Sequence, residues 1–284
     1  MRSVVALGTF DGVHRGHQTV IKKAVAYAKK IGARSVAITF DPHPQQFIIP
    51  ERGLKLLTSL EERKELLYGL GVDKVVVIRF NRATQFLSAE RFVKKYLVEK
   101  LDACHVFVGF DYHFGKKRGA TVHELKDLGR KYGFTVDVVQ PVKYRGEIIK
   151  SRVIRELVSQ GNFNKAVKML GHAYHLSGKV VKGHGRGESL GFPTANLRID
   201  YHRLIPQAGV YAGSVDGEKC AVNIGSQPTF GKGELTVEVH IPRFRGNLRG
   251  KVLTVEIDRK IRDEVQFSDV EKLKAQIKKD IKRL

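Results

Sequence analysis

From Ser3 to Val139 the chain alternates short β-branched, apolar runs with segments whose apolar positions recur at helical spacing. The runs Ser3–Leu7, Ser35–Phe40, Lys74–Ile78, His105–Gly109 and Thr135–Val139 predict strands. Between them lie a predicted helix after Gly16 and others near Ser59–Leu70, Ala89–Leu101 and Thr121–Tyr132. Such alternation predicts crossover connections, hence a parallel sheet with helices on both faces and a Rossmann-like domain. After Ser151 the pattern is helical to about Leu170, and beyond Ala173 it changes to short β-rich runs separated by glycine and proline. His175–Val181, Gly209–Val215, Lys219–Ile224, Leu235–His240 and Lys251–Ile257 are the candidate strands of a small barrel. Ser268, followed three residues later by Glu271, predicts a capping-box start for a closing helix. Its Val270, Leu273, Ile277 and Ile281 are expected to pack on the barrel. The predicted fold class is therefore α/β plus β, with domains at 1–158 and 159–284, the second including a helical linker. No internal repeat or low-complexity segment is present.

The 284 residues, 42% of them hydrophobic, suffice for two cores of ordinary size. The longest apolar stretches, such as Val75–Ile78, are strand-length, and the N-terminus enters a structured pattern by Ser3. A cytoplasmic protein with no membrane partner is expected. Cys104 and Cys220, the only cysteines, are too few for a disulfide scaffold or a thiolate zinc cage. The formal net charge of +22 requires that anionic partners be considered. Its basic residues are dispersed along helices, as at Lys22, Lys23, Lys29 and Lys30, and the larger share of the excess precedes residue 175. A solvated basic surface that attracts nucleotides is the preferred interpretation, with a nucleic-acid-binding protein as the non-enzymatic alternative.

Candidate chemistry begins with Gly8-Thr9-Phe10-Asp11-Gly12-Val13-His14-Arg15-Gly16-His17, between the first strand and first helix. There a ligand meets the carboxyl end of a parallel strand and the N–H groups of a helix start, which suits phosphate. His14 and His17 can donate to phosphate oxygens where negative charge grows during displacement at phosphorus. A structural role is also open, with His14 capping a turn, Asp11 capping the helix and Gly16 merely starting it. The segment resembles the His-x-Gly-His nucleotidyltransferase superfamily, and its fuller wording resembles the flavin-adenylylating branch. Phe40-Asp41-Pro42-His43-Pro44 and Val108-Gly109-Phe110-Asp111-Tyr112-His113-Phe114-Gly115 resemble that branch's substrate loops. The resemblance implies that His14 and His17 stabilise the transition state as FMN attacks the α-phosphorus of ATP. It also implies that Gly8, Phe10, Asp11, Gly16, Ser151 and Arg155 contact ATP, and Asp111 and Phe114 the flavin. Two departures stand out: Thr9 replaces the family's usual Asn, and Lys150-Ser151-Arg152-Val153-Ile154-Arg155 replaces Ser-Ser-Thr-x-x-Arg. Ser151 can also simply cap the helix that carries Arg155. His43, His105 and His113 are assigned to local hydrogen bonding or packing.

A second constellation runs from Gly183-His184-Gly185-Arg186-Gly187 into Leu190-Gly191-Phe192-Pro193-Thr194-Ala195-Asn196. Glycines permit close backbone approach to phosphates, and a Thr hydroxyl and an Asn carbonyl are hard oxygen ligands suited to Mg²⁺. A plain glycine-rich hairpin loop is the alternative. This segment resembles the riboflavin kinase signature. Agreement continues through Asn223-Ile224-Gly225, Pro228-Thr229-Phe230, Val237-Glu238-Val239-His240 and Ile261-Arg262-Asp263-Glu264. The resemblance implies Gly183, Gly185, Arg186 and Gly187 at the triphosphate, Thr194 and Asn196 at Mg²⁺, Arg262 and Glu264 at the flavin, and Glu238 as general base. Period two places Val237 and Val239 on one face and Glu238 on the other. Together these resemblances imply a prokaryotic bifunctional enzyme that makes FMN from riboflavin and ATP, then FAD from FMN and ATP. A monofunctional riboflavin kinase with a nucleotide-binding N-terminal domain is the enzymatic alternative. Nothing in the sequence gives the oligomeric state.

Overall fold

The computed structural model describes residues 1–183, 186–226, 235–242, 244–267 and 269–284. Gly185, a predicted phosphate contact, lies outside them, as do Pro228-Thr229-Phe230 and Ser268. The chain divides into two compact units: Met1–Leu54 with Thr58–Ser151, and Lys55–Leu57 with Arg152–Leu284.

The first unit runs β1 (Ser3–Leu7), α1 (Arg15–Ile31), β2 (Arg34–Asp41), α2 (Pro44–Ile48), α3 (Leu60–Gly69), β3 (Lys74–Arg79), α4 (Arg82–Gln85), α5 (Ala89–Phe92), β4 (Ala103–Gly109), α6 (Val122–Tyr132) and β5 (Thr135–Val139), followed by the hairpin β6 (Lys143–Tyr144) and β7 (Glu147–Ile148). All five longer strands are parallel, in the order β3-β2-β1-β4-β5. The predicted helix over 89–101 is a short α-helix continued by a π-helix over Val93–Glu99, with Phe92, Val93, Tyr96 and Leu97 buried. Val4, Val5, Ala6 and Leu7 are all buried, because β1 is covered on both sides. Leu7 belongs to the cluster with Ile38, Phe92 and Val106, whereas Ala6 belongs to that with Ile21, Ala24 and Phe107. From β1 the chain winds outward to β2 and β3, then returns to build β4 and β5 on the other side. Strand order therefore reverses at β1/β4, and the loops leaving those strands flank the crevice where open parallel sheets bind ligands.

The second unit contains α7 (Ser151–Ser159, its first residue from the first unit), α8 (Phe163–Leu170), β8 (Tyr174–Val181), α9 (Arg186–Ser189), β9 (Ala195–Ile199), β10 (Gly209–Val215), β11 (Glu218–Ser226), β12 (Leu235–His240), β13 (Val252–Arg262) and α10 (Val270–Ile281). Six antiparallel strands close a barrel in the order β10-β11-β12-β9-β8-β13. Sequence patterning anticipated five of them. β9 escaped it because its first residues, Ala195 and Asn196, fall inside the Pro-Thr-Ala-Asn motif. Leu176, Val222, Ile224, Val237, Val239, Val255 and Ile257 are buried in this unit.

Helix α10 starts one residue later than the Ser268 capping box predicts: Asp269 is the N-cap, accepting from the Glu271 N–H (2.8 Å). The Asp269 carboxylate supplies the acceptor that the first turn requires. Arg262 fastens this helix, donating from Nε to both oxygens of buried Asp280 (3.2 and 3.0 Å) while Nη2 lies 2.9 Å from Oδ2. A strap of three residues, Lys55–Leu57, also belongs to this unit. Leu56 exchanges backbone hydrogen bonds with His202 and Leu204, and buried Arg203 donates to the Leu56 carbonyl at 2.7 Å.

Candidate functional sites

The turn between β1 and α1 is built around two histidines. His14 is the N-cap of α1, and its Nδ1 accepts the His17 N–H at 3.3 Å. That bond places the proton of a neutral His14 ring on Nε2. The His14 and His17 rings stack at 3.6 Å with 17° between planes, and Phe10 meets His17 edge-on at 5.4 Å. Gly16 is what allows the stack: a Cβ there would lie 3.1 Å from His14 Cε1 and 3.2 Å from Nδ1. The spacing His-x-Gly-His thus folds the first imidazole back over the first turn, at the positive end of the helix dipole.

The backbone bends sharply to achieve this, with φ of +53° at Phe10 and +36° at Val13, where side chains other than glycine are strained. Its neighbours hold it. Asp11 is fully buried and accepts from the Thr58 N–H (3.1 Å) and hydroxyl (3.3 Å), while the Gly12 N–H donates to Thr58 Oγ1 (3.1 Å). The Ser151 hydroxyl donates to the Asp11 carbonyl at 3.0 Å. Buried Arg63 donates to Thr39 Oγ1 (3.1 Å) and the Phe40 carbonyl (3.2 Å), and Thr39 in turn donates to the Thr9 carbonyl (2.7 Å). Sequence reading missed Thr58, Thr39 and Arg63, since nothing local marks residues that act across 23 or more positions.

Of the predicted phosphate contacts, Gly8 directly follows β1, whereas Phe10 is buried in the core beside Val13. Arg155 is half-buried on α7, in the second unit. On the loop after β4, Asp111 is exposed and Phe114 is buried against Tyr112 and Phe92. The exposed aromatic there is Phe110, with Lys150 5.6 Å from its ring centroid and 3.8 Å from Asp111 Oδ2. The three other histidines make local contacts: His43 caps α2, His113 donates to the Asp111 carbonyl (2.9 Å), and His105 is buried beside Asp137 (3.3 Å) and Tyr27.

In the barrel, β12 lies between β9 and β11. Register pairs Glu238 with Asn196 on one side and with Asn223 on the other. Val237 and Val239 are 1% exposed and Glu238 is half-buried, so Glu238 faces outward, as its alternation predicts. Thr194 lies two residues before Asn196. Backbone packs closely on both: a Cβ at Gly183 would fall 2.1 Å from Asn196 Nδ2, and one at Gly187 would fall 3.0 Å from Thr194 Oγ1. His240 Nδ1 donates to the Pro193 carbonyl (2.8 Å), holding the turn that presents Thr194. Glu264 reaches the same face, since a Cβ at Gly225 would meet its Oε1 at 2.5 Å. Arg262, expected at the flavin, is bound to Asp280 of α10.

The family described as FAD synthetase matches residues 1–153, and that described as riboflavin kinase matches 170–284. A Pseudomonas fluorescens protein named bifunctional riboflavin kinase/FMN adenylyltransferase is 36% identical over 98% of this chain and 90% of its own. Its namesake from Listeria monocytogenes is 39% identical over 99% and 90%. The chain belongs to the bifunctional riboflavin kinase/FMN adenylyltransferase family. A Streptococcus pneumoniae crystal structure described as a macrolide-efflux protein shares the fold of this family member, with a TM-score of 0.88 and 31% identity over 99% of this chain and 93% of that one. Among the described residues, no helix of this riboflavin kinase/FMN adenylyltransferase family member is long and apolar enough to cross a membrane.

Proposed function

We propose that the barrel phosphorylates riboflavin through Glu238, and that the parallel-sheet unit adenylylates FMN through His14 and His17. What supports this division is that each family match falls on a unit that assembles its own site. In the barrel, Glu238 accepts the proton of the riboflavin 5′-hydroxyl as that oxygen attacks the γ-phosphorus of ATP; FMN forms and ADP leaves. Thr194 and Asn196 fit a hard cation, since a hydroxyl and an amide oxygen lie under the Gly183 and Gly187 backbone. Mg²⁺ characteristically takes few protein ligands and completes its shell with water and phosphate oxygens. Held there, it would neutralise charge on the ATP phosphates.

In the first unit, a phosphate oxygen of FMN attacks the α-phosphorus of a second ATP, giving FAD and pyrophosphate. His14 and His17, joined by the first N–H groups of α1, donate to oxygens on which charge develops. Asp111 lies beside the flavin, and Lys150 supplies a cation for the triphosphate where the family has a hydroxyl. Gly183, Gly185, Arg186 and Gly187 serve the kinase triphosphate in the same reading, and Glu264 the flavin. Cytoplasmic conditions suit both reactions and the free thiols of Cys104 and Cys220.

The decisive experiment is a product assay on Glu238→Gln. With riboflavin, ATP and Mg²⁺, FMN formation should fall by at least about a hundredfold, while FAD formation from supplied FMN persists. Equal loss of both activities would refute the division of labour. Failure of the unaltered chain to convert FMN to FAD would favour a monofunctional kinase.

A further inference from the structure

One cleft in the first unit is used by neither proposed reaction. It runs along β3, the edge strand of the sheet, with β2 between it and β1, and has a volume of about 240 Å³. Ile78 and Leu87 give it an apolar wall, and its charged lining is Arg79, Lys95 and Lys100, with no carboxylate among the described residues that form it. Lys95 and Lys100 meet there because a π-helix joins them: bonds from i to i+5 stack residues that α-helical spacing would set about 140° apart. None of the three cations makes an ion pair among the described residues. Of the acids nearby, Glu90 holds Lys131 and Tyr132, while Asp41, opposite Arg79 in register, and Glu99, beside Lys100, pair with none of the three.

The uncharged polar groups of the cleft are donors as well. Tyr96 is 9% exposed, and its hydroxyl has no hydrogen-bond partner among the described residues, although a buried hydroxyl ordinarily finds one. Lys95 Nζ lies 5.2 Å from the Tyr96 ring centroid. Asn81 accepts the Thr84 N–H on Oδ1 at 3.0 Å, which leaves its NH₂ end to offer. The Phe80 N–H donates to the Asp41 carbonyl of β2 (2.8 Å), so alternation turns the N–H groups of Val77 and Arg79 the other way, out from the sheet edge.

We propose that this cleft binds a small inorganic phosphate-class anion, orthophosphate or pyrophosphate. Three like charges around one cleft repel one another, and an anion among them turns that repulsion into attraction. Charge-assisted bonds from a guanidinium, two ammonium groups and a phenol suit phosphate oxygens, and the apolar wall strengthens each by lowering the local dielectric. Pockets for drug-sized ligands span about 300–1,000 Å³, so the volume suits such an ion and not a dinucleotide.

The test is equilibrium dialysis of labelled pyrophosphate against the full chain, without Mg²⁺ and with a non-hydrolysable ATP analogue saturating the nucleotide sites. Pyrophosphate should still bind. Tyr96→Phe and Arg79→Gln should each weaken it about tenfold, and the double change Lys95→Glu/Lys100→Glu at least about a hundredfold. Lys22→Glu/Lys23→Glu, an equal change of charge on exposed residues of α1, should leave the affinity within about twofold. An unchanged circular dichroism spectrum and melting temperature of each variant without pyrophosphate separate loss of the site from loss of the fold. Binding abolished by the ATP analogue overturns the proposal, because the ion then occupies a place that nucleotides take. Equal weakening by the two double changes also overturns it, because the attraction is then that of the whole basic surface.

Discussion

Replacing Gly16 with alanine separates stability from adenylylation. Alanine is better than glycine within a helix by about 0.8–1.0 kcal/mol, and less at a first turn. Against this, the new Cβ would lie 3.1–3.2 Å from the His14 ring, which must retreat by a few tenths of an ångström. The His14–His17 capping bond is already 3.3 Å long, so that retreat breaks it. Losing a cap costs about 1 kcal/mol. The two effects nearly cancel, and the melting temperature should move by no more than about 2–4 °C. Catalysis has no such compensation. The stacked imidazoles shift relative to the α-phosphorus, and about a tenfold loss of kcat for FAD formation is expected, equivalent to roughly 1.4 kcal/mol. The assay is chromatographic separation of FMN and FAD after incubation with FMN, ATP and Mg²⁺, with FMN formation from riboflavin as the internal control. Adenylylation within twofold of the unaltered chain would refute the idea that the histidine stack governs the reaction.

Two further outcomes concern stability. Burial lowers the pKa of His105 from its ordinary 6.5, with Asp137 only partly opposing it, so the unfolded chain binds this proton more readily. Its stabilising contribution is complete above about pH 6.5 and declines as pH falls below that value, and urea midpoints for His105→Asn should depend less on pH between about 5.5 and 7.5. Asp280→Ala leaves the Arg262 guanidinium without its buried partner and should destabilise the barrel by about 3–5 kcal/mol. A change below about 1 kcal/mol in denaturant unfolding would show that the pair does not anchor α10.

The sequence disclosed the strand–helix alternation, the change to a barrel and the positions of His14, His17, Asn196 and Glu238, because these rest on periodicity or on short motifs whose residues act within a few positions of each other. Long-range partnerships were hidden. Nothing near Asp11 announces Thr58, and nothing near Arg262 announces Asp280, the carboxylate it pairs with. Phe114 reads as a candidate flavin contact, yet whether an aromatic on a loop faces solvent or core depends on tertiary packing, and here it is buried beside Phe92.

The strap at Lys55–Leu57 alters what it means to separate the two activities. Arg203, 3% exposed, directs one arm of its guanidinium at the Leu56 carbonyl and the other at that of His175. A polypeptide trimmed to begin at residue 152 would retain every barrel strand and still forfeit an acceptor for an interior cation, a loss on the order of 1.5–3 kcal/mol. Modularity in such a molecule is not collinear with the gene: the kinase half includes a tripeptide encoded within the transferase half, and a single cut cannot give each its full complement.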